Sequence, residues 1–282
     1  MHNRPDIGIN SQNRDVSYIY DGTFEGFLCC VFKSVRGREM PLSITAQDAA
    51  ALSLFESVHI VTDFQQSDTV KDAIEKKISP LCLKMANLAF LSCLEEKEMH
   101  ILKYLKMGFK HGAKIDDMLA DTTVLTIANA VRGICGEAHL LSGFIRFSDY
   151  DGVLVAVIEP KNRVLFRLSD HFCDRFNAER FIIYDKTHGE ALVYRGGEGN
   201  IVPAKDIRLP APGADELRFR AMWKRFYDTI GIKERYNPIC RRGHMPMRFW
   251  QNMTEFASAD GLLPGERAML AEPVMALPEE TN

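Results

Sequence analysis

Nowhere in the 282 residues does an apolar run approach the ~18–20 residues that a membrane-spanning helix needs. Residues 1–15 are polar and hold no apolar signal core, so the start does not read as a secretory leader. No two of the seven cysteines are spaced as CxxC, and the usual zinc and iron–sulfur ligand spacings are therefore missing. No metal or cofactor is expected. An odd cysteine count with Cys29 and Cys30 adjacent is also a poor disulfide framework. Cys82, Cys93, Cys135 and Cys173 fall in apolar helical patterns, which suits free, mostly buried thiols in a reducing, cytoplasmic setting. There is no internal repeat. Nor is there an excess of one charge: 35 Lys and Arg face 38 Asp and Glu, a formal −3, which argues against coating nucleic acid with the whole surface. With 46% hydrophobic and 26% charged residues, the body of the chain is neither disordered nor fibrous.

What is present reads as alternating blocks of helix and strand. Tyr18-Ile19-Tyr20 is β-like, and Asp21-Gly22-Thr23 is a turn ending in a helix-capping threonine. Residues 24–35 then form an amphipathic helix through Phe24, Phe27, Leu28, Val31 and Phe32. His59 to Thr62 reads as a strand, with Ser67-Asp68 capping a helix over 69–78. Residues 80–107 are helical, broken near Glu95-Glu96, with Pro80 at a first helical position. Asp121-Thr122 opens a further helix. At Gly143 the period changes to strands over 144–147 and 153–158, joined by Asp149-Tyr150-Asp151-Gly152, a strong hairpin signal. A helix over 164–176, strands over 181–184 and 190–194, a proline-rich connector over 203–213 and a helix over 217–230 follow. The fold class is α+β: a helical N-terminal half packed on a small antiparallel sheet, then a basic, aromatic-rich C-terminal helix and loops. One domain is expected over 16–257, between a flexible stretch at 1–15 and an acidic mobile tail at 258–282.

Several side chains invite a chemical reading. Glu137 and His139 end the helix that opens at Asp121, and Arg146 follows; together they suit an anion or a proton, since a helix C-terminus favours the charged imidazole. His171 and Arg175 lie four apart on one helical face, where they suit a phosphate. Against this, Asp170 and Asp174 can neutralise both cations on a solvated face. Asp185 closes a strand, a common position for a catalytic carboxylate, but Asp is also a favoured turn residue and the turn is the stronger reading.

Composition is most unusual over residues 217–250. Nine cations stand there against Asp228 and Glu234, a local +7, interleaved with seven aromatic residues that include both tryptophans. Cations neutralise phosphates and rings stack on unpaired bases, so this segment suits nucleic acid. Trp223 and Phe226, three apart on a helix, read as core. Residues 232–250 read as loops carrying Arg235, Asn237, Arg241, Arg242, Arg248 and Trp250, and such loops more often bind than pack.

Six short motifs occur in order: Tyr20-Asp21-Gly22-Thr23 with Glu25-Gly26; Glu137-x-His139; Gly143-Phe144-x-Arg146-Phe147; His171-Phe172-x-x-Arg175; Arg235-x-Asn237; and Met245-Pro246-x-Arg248-Phe249-Trp250. Together they resemble a bacterial family of DNA-metabolism or DNA-repair proteins built on a domain of unknown function. Members are typically encoded beside a radical-SAM protein implicated in DNA modification or repair, and related domains occur fused to uracil-DNA-glycosylase-like domains. The resemblance implies a role in DNA metabolism without a known reaction. It also makes this chain, which has no CxxxCxxC motif, the partner of the radical enzyme.

The leading expectation is a DNA-binding accessory protein that uses Arg146, Arg175, Arg235, Asn237, Arg241, Arg242, Arg248 and Trp250. An alternative is an enzyme acting on DNA or nucleotides, with His139 and His171 as acid–base groups oriented by Glu137 or Asp185. A third is a scaffold whose basic surface docks on an acidic protein.

Overall fold

The computed structural model describes residues 16–49, 56–205, 207–258 and 262–264. The chain divides into two compact units, residues 1–134 and 135–282. Both mix helix with small sheets, so the α+β class holds. The stretch at 1–15 and most of the tail at 258–282 lie outside the described residues.

In the first unit, β1 (Val16–Tyr20) is the middle strand of a three-stranded sheet, flanked by β2 (Ile44–Ala46) and β3 (Glu56–His59), both parallel to it. Helix α1 (Phe24–Arg36) starts where the Thr23 hydroxyl accepts the Gly26 amide at 3.0 Å, the expected cap. Helix α2 (Phe64–Lys77) is capped by Asp63, whose carboxylate accepts the amides of Gln65 and Gln66. That start lies five residues before the one expected from Ser67-Asp68; Ser67 is instead buried inside the helix. The strand expected at 59–62 likewise ends at His59. Helix α3 (Pro80–Phe90) has Ser79 as cap and proline in its first turn, and α4 (Lys97–His111) follows after the anticipated break. Tyr18, Phe27, Leu28, Ile74, Ile101, Leu102 and Leu105 are buried in one core, each large apolar side chain contributing about 1.5–3 kcal/mol. Helix α5 (Thr122–Phe144) begins at the Asp121 carboxylate, which accepts the Thr123 amide at 2.8 Å.

The second unit is built on a five-stranded sheet of β4 (Ser148–Tyr150), β5 (Val153–Ile158), β6 (Phe181–Asp185), β7 (Glu190–Arg195) and β8 (Glu198–Pro203), in that spatial order. Asp151 and Gly152, with φ of 52° and 78°, form the two-residue turn of the first hairpin. Gly196 and Gly197 do the same between β7 and β8. One neighbour pair, β5 and β6, is parallel and is joined by α6 (Leu165–Arg175); the other pairs are antiparallel. Two sequence expectations shift here. Residue 144 still belongs to α5 and the edge strand starts at Ser148, because the alternation of residues 144–147 is that of a linker turning its aromatics inward. Phe147 meets Phe172, Phe176 and Phe181 edge-on. Strand β8 occupies a stretch to which no element was assigned and meets the expected connector at Pro203 alone.

Helix α7 (Ala214–Ile230) is tied to the sheet edge through a buried ion pair. Arg220 Nε donates to Glu216 at 2.6 Å and its Nη2 to the Ser148 hydroxyl at 2.7 Å, while Glu216 also accepts the Asp149 amide. A short helix α8 (Pro238–His244) is capped by the Asn237 side chain, so residues 232–250 are more regular than the loops expected.

Candidate functional site

At the carboxyl ends of β5 and β6, two buried carboxylates organise the loops of the second unit. Glu137, on α5, has a nearly inaccessible side chain. It accepts the amides of Lys161 and Asn162 at 3.0 and 2.9 Å and the Asn162 side-chain amide at 2.6 Å, and it pairs with Arg248 at 3.0 Å. Four donors saturate it. It therefore fixes the loop at 159–163 and anchors the C-terminal segment through Arg248, whose guanidinium also lies 4.6 Å from the Phe249 ring.

Asp185, fully buried at the end of the central strand β6, accepts the His188 amide at 3.1 Å and bonds its Nδ1 at 2.6 Å. That geometry assigns the Nδ1 proton to the bond when the ring is neutral and leaves Nε2 as an acceptor. Lys186 stands 4.0 Å from Glu159, and Arg163 pairs with Glu190. His188 was not among the residues selected from the sequence. The signal for it is Asp185-x-x-His188 after a buried strand, hidden because the same four residues also read as a plain turn.

A further buried carboxylate, Glu255, takes Arg146: Nη2 lies 2.6 Å from Oε1, and Nε reaches both oxygens. Arg146 Nη1 is spent on the Gly143 and Ile145 carbonyls. Its guanidinium stands 5.8 Å from the Trp223 ring. Arg241 enters an aromatic box, 4.6 Å from Trp250 and 4.9 Å from Phe256, which themselves stack at 4.4 Å; its Nε is buried without a hydrogen-bond partner. The Trp250 indole donates to the Met245 carbonyl at 3.0 Å.

Residues 95–255 match the family described as Domain of unknown function (DUF4130). This chain belongs to it. No curated protein matches the chain, and no solved structure does. The DUF4130 match ends at Glu255, the partner of Arg146, and takes in Glu137, Asp185, His188 and the whole of α7 and α8.

Within the DUF4130 region the residues selected from sequence separate into two groups. Arg146, Arg248, Arg241, Trp250 and Asn237 are held by internal partners. Arg175, Arg235 and Arg242 are exposed, with Arg242 Nε on the Pro238 carbonyl. His139 is exposed while Glu137, two positions earlier on α5, is buried, as residues two apart on a helix must diverge. His171 is also exposed, edge-on to Phe172, and Asp185 holds His188 rather than either of them. Trp223 and Phe226 are not core. They stack on each other at 5.6 Å on an open face of α7, with Phe219, Met222 and Ile230 exposed alongside. Exposed Arg218 and Arg225 flank that stripe and make no ion pair among the described residues. Tyr236, 65% exposed, follows it. Among the described residues no group of three or more His, Cys, Asp or Glu is placed to hold a metal, and no helix is long and apolar enough to cross a membrane.

Proposed function

We propose that this DUF4130 protein binds single-stranded DNA through the open face of α7 and the residues leading into α8, as an accessory factor in DNA metabolism or repair. The observation that carries the reading is the exposed aromatic stripe Phe219, Trp223 and Phe226 on α7, with exposed Arg218 and Arg225 on the same helix and exposed Arg235, Tyr236 and Arg242 following in the chain. Rings and guanidinium groups left open to solvent suit unstacked bases and their phosphates, and each stacked base is worth about 1–3 kcal/mol. The motif resemblance supports a DNA-directed role beside a radical-SAM protein.

Titration of a labelled single-stranded oligonucleotide, followed by fluorescence anisotropy, tests this. Affinity should fall steeply with salt, and Arg235→Ala with Arg242→Ala should weaken it severalfold while lowering the salt slope. Trp223→Ala should weaken it at every salt concentration. Absence of binding at low salt overturns the reading.

A second reading, an enzyme acting on DNA or nucleotides, draws on Asp185 and His188. A buried carboxylate holding an imidazole by Nδ1 orients the other nitrogen as a base. Loss of a strand-processing or base-release activity in His188→Gln, with DNA affinity unchanged, would favour it.

A further inference from the structure

The first unit contains a recess of about 440 Å³ that the DNA reading does not use, within the range of small-molecule sites. Helix α1 supplies one wall. Its Phe27, Leu28 and Val31 turn into the core, while Phe32, Lys33 and Arg36 line the recess. His59, Ile60 and Val61, at and just beyond the end of β3, also line it, and Val61 is 85% exposed although apolar. Gln66 of α2 lines it as well. Its amide nitrogen donates to Asp63 at 2.8 Å, which leaves its carbonyl oxygen as an acceptor.

The charge of the recess is positive. Lys33 and Arg36 lie one helical turn apart and form no ion pair among the described residues. Their other contacts are with ring faces: Lys33 stands 5.8 Å from the Tyr18 ring, and Arg36 5.8 Å from the Phe32 ring. The one carboxylate on the wall, Glu39, accepts from the Tyr18 hydroxyl and keeps its charge, so the two cations leave the recess net positive. Burial raises the Tyr18 phenol above its ordinary range, and the bond to Glu39 adds to this, so Tyr18 stays protonated and keeps donating. Two cations in the last turn of a helix also answer its dipole. That accounts for their charge. It does not account for an open volume lined by both cations together with Phe32, Ile60, Val61 and a free amide acceptor on Gln66.

We propose that this recess binds a nucleoside monophosphate. The phosphate lies on Lys33 and Arg36, where Arg offers its two-pronged donor geometry. The base lies between Phe32 and the Ile60–Val61 wall, with a ring N–H or exocyclic amine donating to the Gln66 carbonyl. This proposal concerns residues of the first unit alone and does not rest on the DNA-binding reading.

Calorimetric titration of the full chain with the four ribonucleoside monophosphates, and with inorganic phosphate and adenosine as controls, tests the assignment. At least one monophosphate should bind tenfold or more tightly than either control. Lys33→Gln and Arg36→Gln should each weaken it about tenfold, the scale of one hydrogen bond to a charged group, and Arg36→Lys should restore part of the loss. Both side chains are partly or fully exposed and their removal should leave the melting temperature unchanged. If a variant nonetheless fails to fold, amide shifts of the wild type decide. Perturbations centred on residues 32–36 and 60–66 support the site, and perturbations elsewhere overturn it. Binding of phosphate as tight as that of every monophosphate, or monophosphate binding indifferent to Arg36→Gln, overturns it as well.

Discussion

The Nη2 atom of Arg248 lies 3.0 Å from Oε1 of Glu137, joining a half-buried cation near the end of the chain to a carboxylate that is nearly inaccessible. The pair marks the difference between arginines that build the second unit and arginines left open on it. Removing Arg248 strands a buried charge that three loop N–H groups only partly compensate. Arg248→Ala should therefore destabilise the protein by about 2–4 kcal/mol, discounted from a fully buried pair because Arg248 keeps some solvent contact. Urea unfolding checks this. Arg235→Ala, at an exposed side chain, should stay within about 0.5 kcal/mol of the wild type in the same experiment.

Gly26 sits where a side chain has no room. A Cβ there would lie 2.2 Å from Asp21 Oδ1 and 2.7 Å from Thr62 Oγ1. Asp21 is the hub of that turn, accepting from the Thr23 amide, the Thr23 hydroxyl and the Thr62 hydroxyl at 2.7–3.0 Å. Gly26→Ala should break these bonds and lower stability by about 1–3 kcal/mol, measurable as a drop in thermal midpoint.

The same turn sets an acid limit. Burial raises the Asp21 carboxyl, but hydrogen bonds from Thr62 and Thr23 outweigh it and hold the group below its ordinary value. The folded value thus lies under the unfolded one, about 3.9. Its contribution is complete above the unfolded value and is lost as pH falls through the folded one. Thr62→Val should flatten the fall in stability below about pH 4 without changing its sign, as read by circular dichroism at graded pH.

Thiol chemistry offers a further check. Cys29, Cys30 and Cys82 are buried; Cys93 and Cys240 are exposed. Burial pushes the Cys82 thiol up to about 11 and raises those of Cys29 and Cys30. Since the thiolate is the reactive form, a disulfide reagent at mildly alkaline pH should label Cys93 and Cys240 first. The three buried thiols should respond only in denaturant.

Much of this architecture was legible because it rests on local chemistry. Thr23, Ser79-Pro80 and Asp121 announce helix starts through caps that need no tertiary partner, and Asp151-Gly152 announces a hairpin through a backbone that few other pairs adopt. Residues whose role is set by distant partners were not legible. Nothing near Glu137 in sequence shows that four donors, one of them 111 positions away, will close around it. Strand β8 escaped because Gly199, Asn200 and Pro203 have little strand preference, and its pairing with β7 is what makes it a strand. Trp223 and Phe226 misled in the opposite direction: spacing on α7 shows that two rings share a face, but not whether anything covers it.

Strand order also has a consequence for how the second unit forms. Hairpin β4–β5 and the meander β6–β7–β8 each close through a two- to four-residue turn and can pair early. Their union at the parallel β5–β6 seam must await α6 and the closure of a loop from 159 to 180. The refolding rate should therefore respond to changes in α6, such as Leu168→Ala, more than to changes in either glycine turn, and the seam would be the last part of the sheet to assemble.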